Sequence, residues 1–109
     1  MRIHTENLTA DDVDVLSGTA LDQLEAGGQL DIFVISTQAD TLLTITGPDA
    51  EPIALSIEVP LETRAIRPAD DLPFSLPLLS GGHYTVNVDI VTAATVQFIA
   101  IYRKAGIDF

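Results

Sequence analysis

Two strand-like runs in the last quarter of the chain constrain its fold more than anything else in the sequence. In the first, Tyr84, Val86, Val88 and Ile90 alternate with Thr85, Asn87 and Asp89. That period of two marks a strand with one face in a core and the other in water. The second run breaks the pattern. Val96, Phe98, Ala100 and Tyr102 fill a core face, but Ile99 and Ile101 sit between Gln97 and Arg103 on the opposite face, where a solvated strand is polar. A cover over that second face is expected, either an internal segment or another subunit.

Upstream, Gly27-Gly28 turns the chain into Leu30 to Ser36, a strand with apolar residues on both faces: Leu30, Ile32 and Val34 on one, Phe33 and Ile35 beside Asp31 on the other. Thr41 to Thr46 follows after a polar turn, a spacing that suits a hairpin. Leu55, Ile57 and Val59 alternate inward until Pro60, which cannot donate to a ladder. Residues 61 to 71 read as a long exposed connection. Phe74, Leu76 and Leu78 form a short strand that Pro73 and Pro77 confine to an edge. Residues 1 to 29 are the least regular part, with Ile3 fitting a short first strand and a helical turn capped by Thr9 set against the poor helix propensity of Asp, Val and Thr. The expectation is an all-β chain forming one antiparallel β-sandwich domain over residues 1 to 109, jelly-roll-like or a small barrel, of six to eight short strands. A parallel α/β arrangement needs helices of about ten residues or more between strands, and no window supplies one.

The net charge is -11, and it is uneven. Residues 1 to 60 hold eleven acids and one base, Arg2, for -10, whereas residues 61 to 109 hold five acids and four bases, for -1. Such a field repels phosphate backbones and anionic lipid heads, so neither nucleic acid nor a membrane surface is an expected partner. The chain has no cysteine, which removes disulfides and thiolate chemistry from consideration. The first fifteen residues carry Glu6, Asp11, Asp12 and Asp14 and no apolar run of signal-peptide length, so a soluble protein without a cleaved leader is expected.

Candidate chemistry is sparse. Ser80 and His83 could form a nucleophile-and-base pair if a third group oriented the ring, but Ser80-Gly81-Gly82-His83 reads better as a turn into a strand. Asp11, Asp12 and Asp14, or Asp70 and Asp71, offer oxygens suited to calcium. A calcium loop started at Asp12 finds Ser17 where glycine is needed and Gln23 where a glutamate is needed. Tyr84 and Tyr102 fall on core faces, and there is no Trp to build a sugar platform. No enzyme activity, cofactor or metal is expected.

The basic residues cluster in two places: Arg64 and Arg67 in the long connection, and Arg103-Lys104 after the last strand. Arginine favours bidentate pairing across interfaces, and an acidic half facing an Arg-bearing half would give a head-to-tail contact that closes into a ring. The candidate interface is therefore Ile99, Ile101 and Arg103, with Arg64 and Arg67.

The stretches Gly18 to Asp22, Gly27 to Ile32, Ser36-Thr37, Asp40-Thr41, Gly81 to Tyr84 and Thr95 to Arg103 give the chain a texture of short Thr- and Asp-rich turns and β-branched strands ending in Arg. In this it resembles the small all-β cement or decoration proteins of tailed bacteriophage capsids. The resemblance implies a structural virion protein on the outer capsid surface, bound in many copies to the major capsid protein, often as a homotrimer, and stapling neighbouring shell subunits. It carries over no catalytic or binding residue. The alternative is a β-sandwich binding module for a carbohydrate or peptide, without catalysis.

Overall fold

In the computed structural model, which describes residues 1–108, seven strands follow one another: β1 (Arg2–Leu8), β2 (Gln29–Ser36), β3 (Thr41–Thr46), β4 (Pro52–Glu58), β5 (Phe74–Pro77), β6 (Thr85–Ile90) and β7 (Val96–Arg103). They form a four-stranded sheet, β1-β7-β2-β5, and a three-stranded sheet, β4-β3-β6, antiparallel throughout. The fold is all-β, a small β-sandwich.

The inner faces supply the core. Leu30 and Ile32 of β2 and Val96, Phe98, Ala100 and Tyr102 of β7 pack against Leu43 and Ile45 of β3 and Val86 and Val88 of β6. Each such side chain withdrawn from water stabilises the fold by about 2 kcal/mol. The alternation read in β6 and β7 is thus the alternation of buried and outward positions. β5 lies at a sheet edge, as its flanking prolines require.

Four features depart from expectation. Residues 1–29 open with a full seven-residue strand, β1, paired with β7 from Arg2↔Tyr102 to Leu8↔Val96. Its inward positions are Arg2, His4, Glu6 and Leu8, so its polarity runs opposite to that of an ordinary half-buried strand. Inward-pointing charge is one way to discourage pairing at a sheet edge. No helix forms after Thr9. Instead Asp12 exchanges two main-chain hydrogen bonds with Val88 (3.0 and 2.8 Å), and the Val15 N–H donates to the Val86 carbonyl, covering the outer edge of β6. This segment still serves the core: Val15, Leu16, Leu21 and Leu24 are all buried.

β2 and β3 do not form a hairpin. Both edges of β2 are taken, by β7 and β5, so the chain must cross to the other sheet. It does so with the Ser36 and Thr41 hydroxyls 2.9 Å apart in the interior and Asp40 at a φ of 67°. In β4 the inward residues are Ala54, Ile57 and then Val59, while Leu55 is 66% exposed. The register shifts between Leu43 and Ile45, where Ser56 adopts a φ of 48° and donates its N–H to Thr44 Oγ1. This bulge adds a residue to one strand and turns Leu55 outward.

Candidate functional site

The outward face of the four-stranded sheet is where the second apolar face of β7 leads. Register alone sets its rows: Ile3, Ile101 and Asp31 lie side by side across β1, β7 and β2, as do Thr5, Ile99 and Phe33, then Asn7, Gln97 and Ile35. Phe33, Ile35, Ile66, Ile101 and Ile99 form a second apolar cluster, separate from the core.

Ile66 comes from the 61–71 connection, which lies over the sheet as a strap. The strap begins with a parallel bridge between Ser36 and Leu61. It is held mid-way by the Ile66 N–H, which donates to the side-chain carbonyl of Gln97 at 2.6 Å. Its Ile66 side chain is buried against Phe33 and Ile35, so this connection is not wholly exposed. An internal segment thus covers part of the second face of β7. The cover stops short of β1: Ile3 is 50% exposed, Thr5 and Asn7 are exposed, and Ile99 is half-buried. The uncovered part, Ile3, Thr5, Asn7 and Ile99, carries no charge on a chain of net charge -11.

Charges at the margins of this face are paired within the chain. Arg103 binds Asp31, a carboxylate only 6% exposed. Asp31 also accepts from Gln29 Nε2 at 2.8 Å and Ser75 Oγ at 2.7 Å. A buried carboxylate survives only with such partners. Arg64 reaches Asp71 with two guanidinium nitrogens and Glu62 with a third, closing the strap on itself. With the Arg67 N–H, it holds the Asp71 carboxyl down to about 2. Arg67 is exposed on the strap, its backbone N–H bound to Asp71. Ile99, Ile101 and Arg103 therefore share one face by strand register, and Arg64 lies beside Phe33 and Ile35 through the strap, whereas Arg67 is not brought to the face. Arg64 and Arg103 are paired within the chain.

His83 sits in a different place, before β6. Its Nε2 lies 2.7 Å from Asp14 Oδ2, and its Nδ1 lies 2.6 Å from the Asp22 carbonyl and 2.9 Å from Asp22 Oδ1. Both nitrogens face acceptors, a setting that favours the doubly protonated ring. Burial works against the cation, but the Asp22 carbonyl and the two carboxylates outweigh it and raise its pKa above the ordinary histidine value. The Ser80 carbonyl accepts from the Tyr84 hydroxyl at 2.6 Å, and the His83 ring is occupied by the two aspartates. This arrangement pins residues 14 and 22 to the start of β6 and presents no nucleophile to the ring.

The acidic runs have structural partners as well. Asp11 Oδ1 accepts from the Ile90 N–H, and Asp12 Oδ1 from the Asp14 N–H. Among the described residues, no three His, Asp or Glu side chains group so as to hold a metal ion. Tyr84 and Tyr102 are buried. No helix among the described residues is long and apolar enough to cross a membrane.

Compared with protein-family models, curated proteins and solved structures, the chain matches none of them significantly. The candidate site therefore rests on its own geometry. Reading the sequence found Ile99, Ile101 and the doubly apolar β2. It missed Ile3, which lies in a strand whose polarity is inverted, and Ile66, a lone apolar residue among Arg, Pro and Asp with no period to betray it.

Proposed function

We propose that this protein is a non-enzymatic structural component that docks on a larger assembly, as a decoration protein on the outer surface of a tailed-phage capsid. The supporting observation is the uncovered outward face of β1 and β7: uncharged, carrying Ile3 and Ile99, and flanked by a strap that covers only the neighbouring half. A sandwich core does not need an apolar outward face, and monomers rarely retain a large one. On a chain this acidic, an uncharged patch is also where another surface approaches with the least repulsion.

In this reading the protein self-associates, as a trimer in the family it resembles, and binds the major capsid protein without nucleic acid or membrane contacts. The acidity suits the outside of a shell, away from packaged DNA. The test is mass spectrometry of density-gradient-purified virions. The chain should band with the particles in copy numbers comparable to shell subunits, and Ile99→Asp should release it to the soluble fraction. Absence of the wild-type chain from intact particles would end the capsid reading.

A further inference from the structure

The open flank of the sandwich, between the β4 edge of one sheet and the β5 edge of the other, contains a cleft of about 230 Å³. Its walls include Ile32, Val34, Leu43, Ile57 and Phe74. It meets a second groove beneath the strap, with Val34, Pro60 and Leu72 common to both.

At this junction the β2 ladder has a gap. β5 pairs with β2 only from Gln29↔Pro77 to Ile32↔Phe74. Beyond that, the Ser36 N–H donates to the Pro60 carbonyl at 3.0 Å and the Ser36 carbonyl accepts from the Glu62 N–H at 2.9 Å. On the near side, the Gly28 carbonyl accepts from the Leu78 N–H. Main-chain groups of alternate residues point the same way along a strand, so those of Val34, like those of Gly28 and Ser36, face this flank. No main-chain partner meets them there among the described residues. The register 30↔76, 32↔74 would continue at 34↔72, but the chain has left the sheet, and Leu72 is 96% exposed.

Acidic side chains outnumber basic ones around the gap. Glu58 lines the inter-sheet cleft, and Glu62, Asp70 and Asp71 line the adjoining groove. Arg64 is engaged by Asp71 and Glu62, which leaves Glu58 and Asp70 as the lining acids without a salt-bridge partner among the described residues. We propose that this flank is a peptide-docking groove for an extended segment of a partner chain in which apolar side chains alternate with basic ones. The segment's main chain pairs with Val34, its apolar side chain enters between Ile32, Leu43, Ile57 and Phe74, and its basic side chains meet the acidic rim. Recognition is by main-chain bonds at this interruption of the β2 ladder, between β5 and the strap, with the pocket giving selectivity. It concerns a different surface from the outward face of β1 and β7 and does not depend on that reading.

The probe is an acetylated, amidated octapeptide of alternating Lys and Leu, titrated into the full chain with backbone-amide NMR and calorimetry as readouts. Saturable shifts at Val34, Phe74 and Leu72 are expected, with slowed hydrogen exchange of the Val34 amide. Replacing Lys by Glu in the peptide, or Ile57→Lys in the protein, should weaken binding at least about tenfold through like-charge repulsion. Ile99→Asp should leave it unchanged, which separates this groove from the docking face. Thermal melting of Ile57→Lys checks that the variant is folded, and Leu72→Asp provides a second variant at a site too exposed to threaten the fold. Three results would overturn the proposal. One is the absence of shifts at Val34. Another is equal binding by a Lys/Leu peptide of helical spacing, which would mean charge attraction alone. The third is a protected Val34 amide in the free protein with Leu72 against Val34, which would mean that the chain fills its own cleft.

Discussion

On the three-stranded sheet the outward positions of β3 and β6 read Leu42, Thr44, Thr46 and Thr85, Asn87, Asp89. On the four-stranded sheet those of β7 and β2 read Gln97, Ile99, Ile101 and Asp31, Phe33, Ile35. Both sheets contribute comparable inner faces to one core, so the sandwich itself does not require the second pattern. Outside β4, which turns Ile53 and Leu55 outward, the first sheet presents mostly polar residues to water. The second needs a cover, and the strap supplies it over Phe33 and Ile35 but not over Ile3 and Ile99. Within this fold the apolar outward face of the four-stranded sheet is half-covered, and the proposed function takes the uncovered half as a contact surface.

The largest effect that could break this comparison is at Ile101, 7% exposed on an outward position. Ile101→Asp places an unpaired charge among Phe33, Ile35 and Ile66, and a loss of about 4 kcal/mol is expected in urea unfolding. The same substitution at exposed Leu55, on β4, should change stability by less than about 0.5 kcal/mol. Equal losses would mean that the two outward faces do not differ in burial. Ile66→Ala tests the strap itself: about 2 kcal/mol should be lost, with faster hydrogen exchange at the Phe33 and Ile35 amides and no change at Thr44. If exchange at those amides is unaltered, the strap does not cover the sheet in solution.

Arg103→Met leaves the Asp31 carboxylate with only Gln29 and Ser75, at a cost of about 1.5 kcal/mol. A neutral result would mean that the margin of the face is not held by that pair. The smallest effect concerns the three-stranded sheet, whose β6 edge is covered by the segment pinned at His83. The folded-state pKa of His83 is raised, so its contribution is complete below the unfolded histidine value, near 6.5, and is lost as pH rises through the folded value. The stability gap between wild type and His83→Gln should therefore be widest in mild acid and close at alkaline pH. A gap that widens with pH would refute the imidazolium pin.

Much of the fold was legible because β3 and β6 obey the period of two and β7 obeys it on its core face, and because Pro60, Pro73 and Pro77 limit what can follow or pair with them. The misreadings have local causes. β1 points Arg2, His4 and Glu6 inward, which inverts the usual signal. The turn between β2 and β3 looks like a hairpin because nothing in Thr37 to Asp40 records that β7 and β5 already occupy both edges of β2. Leu55 was read as inward because a bulge at Ser56 breaks the count of two. Val15, Leu16, Leu21 and Leu24 enter the core from a segment with no period at all. Of the candidate site, β7 announced its apolar face. Which residues cover it is tertiary information, carried by Ile66 and a single hydrogen bond to Gln97.

The central claim is that the uncharged outward face of β1 and β7 is a contact surface. Sedimentation velocity at tens of micromolar tests it most directly, on wild type, Ile99→Asp and Leu55→Asp. Wild type and Leu55→Asp should sediment as oligomers and Ile99→Asp as a folded monomer. A wild type that remains monomeric, or an Ile99→Asp variant that sediments as wild type does, would contradict it.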